Sequence, residues 1–147
     1  MDDVWKLIAL LLAGFAGYVT YQQFKLGREK FKLDLFEKRF SVFAAVRKFL
    51  SQLATEGQVS IAQVLQFQAS VAEASFLFES DINDYPAKIA KRALRMHAVQ
   101  AKLKVASSGD DRSRLLEDDA AESTWIADQL SLLESKFAPY LKFHVWR

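Results

Sequence analysis

The sequence has no cysteine, two prolines and five glycines among its 147 residues. The absence of cysteine excludes disulfides, thiolate metal sites and a cysteine nucleophile. So few prolines and glycines leave little material for tight turns, which disfavours an all-β fold. The net charge of +2 is too small to indicate a nucleic-acid-binding protein by itself. With 51% hydrophobic and 26% charged residues, the chain is typical of a folded protein rather than a disordered one.

The sequence also lacks motifs that indicate catalysis. It contains no glycine-rich phosphate loop, zincin motif or serine elbow. Neither His97 nor His144 has a partner at a spacing typical of a catalytic or metal site. One acidic cluster is more typical of a solvated helix start than of a metal site: Glu117, Asp118, Asp119 and Glu122. We therefore expect no enzymatic activity, no metal and no cofactor.

Residues 7–24 carry no charged side chain, and Lys6 and Lys25 bracket them. As a helix this stretch is about 27 Å long, close to the roughly 30 Å hydrocarbon thickness of a bilayer. The pattern predicts a transmembrane helix. It divides the chain into a membrane segment with a short tail, residues 1–24, and a helical region, residues 25–147.

Two other interpretations of the apolar stretch are less consistent with the sequence. A cleaved signal peptide needs a basic start, whereas Asp2 and Asp3 stand there, and the apolar run continues past the cleavage-like residues 14–16. A buried core helix needs apolar partners, and nothing obvious elsewhere in the chain could surround so apolar a segment.

Basic residues follow the apolar stretch, with only Glu29 opposing them: Lys25, Arg28, Lys30 and Lys32. The positive-inside rule places this side in the cytoplasm and the N-terminus outside. The same cations are candidates for contact with anionic lipid headgroups.

Within the apolar stretch, Ala9, Ala13 and Gly17 are spaced by four and form a small-residue face. Such faces let helices approach closely in lipid, so we expect homo-oligomers formed through them. A single span can line a pore only as a ring of several copies, with a tetramer favoured. Thr20, Gln22 and Gln23 would then lie at the cytosolic mouth of the pore.

The rest of the chain predicts a bundle of about four helices, so the fold class is all-α. The first continues from the span to residues 56–57, with Gly27 as its only breaker. It carries two apolar stripes. One consists of Leu33, Phe36, Phe40, Phe43 and Leu50, and the other of Leu35, Val42, Val46, Phe49 and Leu53. Ser60 and Gln63 resemble a capping box that opens a second helix through Phe78. The third ends near Val105. The fourth covers residues 112–136, with Pro139 closing it and a short tail at 143–147.

Charge alternates in blocks of +5, −5, +6 and −6 over residues 25–48, 49–84, 85–109 and 110–135. One explanation is attraction between neighbouring helices, within or between subunits. The other is an anion site on the third helix, whose cations share one face: Lys88, Lys91, Arg92, Arg95 and Lys102. Such a face would bind a headgroup, nucleotide or oligonucleotide without reading sequence.

Residues 28–43 follow the pattern REK-x-x-LDLF, a basic pair and RF-x-V-aromatic, and residues 76–78 and 136–143 extend the match. The chain thereby resembles a family of largely uncharacterised small bacterial single-span membrane proteins. It is also similar in layout to membrane effectors of antiphage systems such as the Hailong channel, although no residue is matched to that protein. That similarity implies a membrane channel controlled by a nucleic-acid ligand made by a partner enzyme.

Three functions are consistent with these observations. The first is a homo-oligomeric gated ion channel or membrane-permeabilising effector in antiphage defence, controlled by an anionic nucleotide or oligonucleotide. The second is a non-conducting membrane anchor whose helical module docks a cytosolic protein partner. The third is a lipid-headgroup sensor that uses the cations after the span.

Overall fold

The computed structural model describes residues 2–107 and 109–142, without the side chains of Asp2 and Ala9. These residues form helices and no strands, which confirms the predicted all-α class. Six helices lie in the described ranges: α1 (Asp2–Glu56), α2 (Ile61–Ser70), α3 (Ala74–Leu77), α4 (Ser80–Asn83), α5 (Tyr85–Val105) and α6 (Asp110–Leu141).

The chain packs as two units, one running through Leu35 and one starting at Phe36. The first consists of α1 up to Leu35, which includes the apolar stretch of residues 7–24 and the charged segment that follows it. The second holds the remainder of α1 and helices α2 to α6, and is called the bundle below. This division follows packing, whereas the division after residue 24 predicted from the sequence follows hydropathy.

The bundle core is built on the second half of α1. Val42, Val46 and Leu50 are almost completely buried there. Phe137 of α6 lies at the centre of an aromatic cluster. The centre of its ring is 5.5 Å from the centre of the Phe43 ring and 5.3 Å from that of the Phe78 ring. These apolar contacts hold the helices in one cluster, because burial of apolar area is the main favourable term in folding.

The second predicted helix begins as expected and ends early. Ser60 and Gln63 form the predicted capping box: the Ser60 N–H donates to Gln63 Oε1 over 2.8 Å, and the Gln63 N–H donates to Ser60 Oγ over 3.2 Å. The helix stops at Ser70 instead of reaching Phe78, and the short helices α3 and α4 follow. Tertiary contacts explain the break, because Phe78 becomes extended and packs against Phe137.

The last helix is longer than predicted. It begins at Asp110 directly after Gly109, whose φ of 142° a residue with a side chain rarely adopts. It also continues past Pro139 to Leu141. Proline this close to the end removes only one backbone hydrogen bond, and Tyr140 beyond it is held by its contacts with Phe78 and Asp81. The predicted tail at 143–147, with His144, lies outside the described residues.

Candidate functional site

The N-terminal half of α1 is apolar and exposed. Among the described residues, this helix alone is long and apolar enough to cross a membrane, with a mean hydropathy of 1.5 over an 18-residue window. None of that window is buried against the rest of the chain. An apolar surface of this size on an isolated chain marks contact with a membrane or another protein.

The small-residue face of this helix is open. Ala13 and Gly17 are exposed, and a side-chain carbon added at Gly17 would meet no atom within 4 Å. Thr20 lies on the same side and donates its hydroxyl to the Ala16 carbonyl oxygen over 2.8 Å. The side chain of Ala9, the third predicted member, lies outside the described part of the structure.

The three polar residues predicted at a pore mouth do not share one side of α1. Thr20 and Gln23 are three residues apart and lie on neighbouring positions of one face. Gln22 points away from that face and donates its Nε2 to the Tyr18 hydroxyl over 2.8 Å. A pore lined by α1 could therefore present Thr20 and Gln23 together, but not Gln22.

The cations after the apolar stretch are spread around α1. Lys25, Arg28 and Lys32 are spaced by three and four and lie on one side, whereas Lys30 lies on another. The Arg28 guanidinium is 5.8 Å from the centre of the Phe24 ring. This arrangement puts positive charge on more than one side of the helix, as contact with a surrounding ring of headgroups requires.

On α5, two of the five predicted anion-binding residues, Arg92 and Arg95, form ion pairs with Glu122 of α6. Arg92 Nη1 lies 3.1 and 3.0 Å from the two carboxylate oxygens of Glu122, and Arg95 Nε lies 3.2 Å from Oε1. The Glu122 side chain is only 3% exposed. Arg92 also lies 4.9 Å from the centre of the Trp125 ring. These contacts join α5 to α6.

The basic face of α5 is therefore smaller than the sequence predicts. Lys88, Lys91 and Lys102 are exposed, and no carboxylate of the described residues lies within 4 Å of their amines. Arg92 and Arg95 belong to the packing of the bundle. Reversing their charge would leave Glu122 without its partners, so it would disturb the fold as well as any anion site.

The expectation that Glu122 belongs to a solvated helix start is not met. Glu122 lies in the middle of α6 and is buried. The signal was present in the sequence: Glu122 falls on the same 3.6-residue period as the buried Ile126, Leu133 and Phe137. A carboxylate on an apolar face predicts a buried partner, and the basic block of residues 85–109 supplies it.

The remaining candidate groups have structural contacts. His97 Nδ1 lies 2.8 Å from the Val59 carbonyl oxygen. Within residues 2–107 and 109–142, no group of three or more histidine or acidic side chains could hold a metal ion. Comparison of the chain with protein families, curated proteins and solved structures finds no match. The family resemblance noted above stays a prediction.

Proposed function

We propose that this chain is a single-pass membrane protein of the bacterial inner membrane, with its N-terminus outside and its bundle in the cytoplasm. The fully exposed apolar half of α1 carries this proposal. In water that surface would be costly to leave exposed, at roughly 25 cal/mol per Å² of apolar area. The four cations that follow residue 24 set the orientation.

Insertion and orientation can be tested with two variants. Phe15→Arg puts a charge at the middle of the span, which costs about 2.5–3.5 kcal/mol at a helix centre, and should shift the protein out of alkali-washed membranes. Phe15→Leu is the matched control and should stay in the membrane. At the C-terminus, a fused reporter that works only in the cytoplasm should be active, and one that works only in the periplasm should be inactive. Activity of the periplasmic reporter there would contradict the orientation.

We propose further that copies associate through the small-residue face and form a gated ion channel, with a tetramer favoured. The open surface at Gly17 and the exposed Ala13 support close approach of α1 helices. Thr20 and Gln23 supply polar groups on one side of the same helix. A ring of largely apolar helices conducts poorly until it is widened or wetted. The bundle would control this opening of the pore.

The channel is tested by Gly17→Leu and Ala13→Leu. Each variant should insert normally, lose its oligomer in native mass spectrometry of the detergent-solubilised chain, and lose its current in planar bilayers. Leu11→Trp adds bulk at least about 120° away around the helix and should keep both properties. A wild-type monomer or dimer, or unchanged currents in Gly17→Leu, would contradict the channel.

An anionic nucleotide or oligonucleotide is the proposed controlling ligand, in keeping with the resemblance to antiphage effectors. Lys88, Lys91 and Lys102 are the exposed cations of that face with no carboxylate of the described residues within 4 Å, and they would bind it. Lys88→Glu and Lys91→Glu should weaken binding of a short fluorescent oligonucleotide and make the remaining binding less dependent on salt, because fewer phosphates are neutralised. Arg114→Glu makes the same charge change at an exposed position of α6 and is the control; equal binding by all the variants would exclude this site.

The second candidate is a non-conducting anchor that docks a cytosolic protein. One observation favours it: Phe76 on α3 is 88% exposed, which is unusual for so large an apolar side chain. Disrupting the small-residue face distinguishes the two functions. An anchor keeps its partner in Gly17→Leu and loses it in Phe76→Ala, whereas a channel loses its current in Gly17→Leu.

A further inference from the structure

At the end of the bundle where α1 stops, there is a cleft of about 700 Å³ that none of the preceding functions uses. Its walls come from the end of α1, the loop before α2, the second half of α5, and Asp119 of α6. Clefts of 300–1,000 Å³ with a few convergent polar groups are the usual size of small-molecule sites. The chemistry of the cleft indicates which class of molecule fits.

Carboxylates outnumber cations in its polar lining. Glu56 and Asp119 contribute carboxylates, and Lys104 is the cation among the lining residues. His97 also lines the cleft, and its Nδ1 lies 2.8 Å from the Val59 carbonyl oxygen. Because a carbonyl can only accept, Nδ1 carries the proton there, and in the neutral ring Nε2 is left with a lone pair.

Two helices end at the cleft, and both ends favour positive charge. α1 ends at Glu56 and α5 ends at Val105, and both residues line the cleft. Helix C-termini expose carbonyl oxygens and carry about half a negative charge. A guanidinium already binds at the end of α5: Arg112 Nη1 donates to the carbonyls of Leu103 and Ala106, over 3.0 and 3.3 Å.

The donors near the cleft are mostly occupied within the protein. Gln100 Nε2 donates to the Gly57 carbonyl over 2.8 Å and to Asp119 Oδ1 over 3.1 Å. Gln63 Nε2 donates to Glu56 Oε2 over 3.1 Å. The positive end of α2 also reaches the cleft, but Ser60 and Gln63 cap it. For an anion the lining therefore offers one cation, Lys104, and the neutral amide of Gln58.

From these observations we infer that the cleft binds a small organic cation: a molecule with an amine or amidine group for the carboxylates and a flat apolar part for Leu103 and Val105. This site is separate from the proposed anion face on α5. It concerns the folded bundle alone, so it stands whether or not the chain forms a channel.

The charge preference is tested with three probes of the same shape: benzamidine, benzamide and benzoate. Calorimetric titration of the full-length chain in a nonionic detergent should give binding in the order benzamidine, benzamide, benzoate, with detergent alone as the blank. Equal heats for the three probes, or stronger binding of benzoate, would overturn the inference.

The location is tested with Glu56→Gln/Asp119→Asn, which keeps the acceptor oxygens that bind Gln63 and Gln100 and removes both negative charges. We expect benzamidine to bind about tenfold more weakly, as expected for loss of charge-assisted hydrogen bonds. Glu117→Gln/Asp118→Asn removes the same charge from exposed positions of α6 and should leave binding unchanged. Equal weakening in both double variants, or none in the first, would place the cation elsewhere and refute the site.

Discussion

Glu122 offers the sharpest test of how the bundle is held together. We predict that Glu122→Gln, which keeps the size of the side chain and removes its charge, destabilises the bundle by about 2–3 kcal/mol. The amide would place an NH₂ donor against the N–H donors of Arg92 and Arg95, so part of the hydrogen bonding is lost together with the charge.

The magnitude follows from the exposure of the three side chains. Removing one partner of a fully buried ion pair costs about 3–5 kcal/mol, because a charge is left buried and unpaired. Glu122 is 3% exposed, but Arg92 and Arg95 are 35% and 61% exposed. The two guanidiniums can therefore recover part of their hydration when the carboxylate is gone, which lowers the expected cost.

The assay is urea unfolding of the full-length chain in a mild detergent, followed by far-ultraviolet circular dichroism. Glu117→Gln, at an exposed position of the same helix, should stay within about 0.5 kcal/mol of the wild type. Replacing Glu122, Arg92 and Arg95 together by Leu, Met and Met should restore most of the stability, since no buried charge remains. The reasoning is refuted if Glu122→Gln matches its control, or if the triple variant is less stable than Glu122→Gln.

Three further predictions concern packing, capping and pH. Phe137→Ala should destabilise the bundle by about 3–5 kcal/mol in the same unfolding assay, while Phe76→Ala stays within about 0.5 kcal/mol; equal losses would contradict the assignment of the core. Ser60→Ala should cost about 1 kcal/mol through loss of the capping box, and an unchanged midpoint would exclude a role for that cap. The hydrogen bond to Asp81, followed by burial, raises the pKa of Tyr140 to about 12, so its stabilisation is complete below pH 10 and is lost as the pH rises towards 12. Tyr140→Phe should accordingly be less stable than the wild type at neutral pH, and a gap that widens above pH 10 would contradict the sign.

Much of the fold follows from local patterns. One long helix from the span to residues 56–57 is predicted because Gly27 is the only breaker after the span. Gly27 does not interrupt α1, because a single glycine costs a helix only about 1 kcal/mol. The apolar stripe through Val42, Val46 and Phe49 is buried as expected. The capping box of Ser60 and Gln63 could be predicted because it depends on neighbouring residues alone.

Features that depend on contacts between distant residues could not be predicted in the same way. The interruption of the second helix depends on where Phe78 meets Phe137, and on Arg39 Nε donating to the Leu77 carbonyl over 2.8 Å. Neither contact leaves a trace in the local sequence.

The candidate sites show the same limit. The five cations on α5 are visible in the sequence, but which of them are paired with a carboxylate depends on where Glu122 lies. The cleft was missed altogether, because Glu56 and Asp119 are brought to it from distant parts of the chain.

The central place of Phe137 has a consequence for the order of events during synthesis. Phe43 is synthesised before Phe137, and the centres of the two rings are 5.5 Å apart in the folded bundle. At about 5–20 residues per second, the ribosome needs roughly 5–20 s to make the chain between them. During that interval the ring of Phe43 lacks its contact with Phe137, so apolar surface of α1 stays exposed for longer than in a protein with mostly local contacts. The apolar N-terminal segment is made before either ring, so if it enters a membrane as proposed, its insertion can precede closure of the bundle.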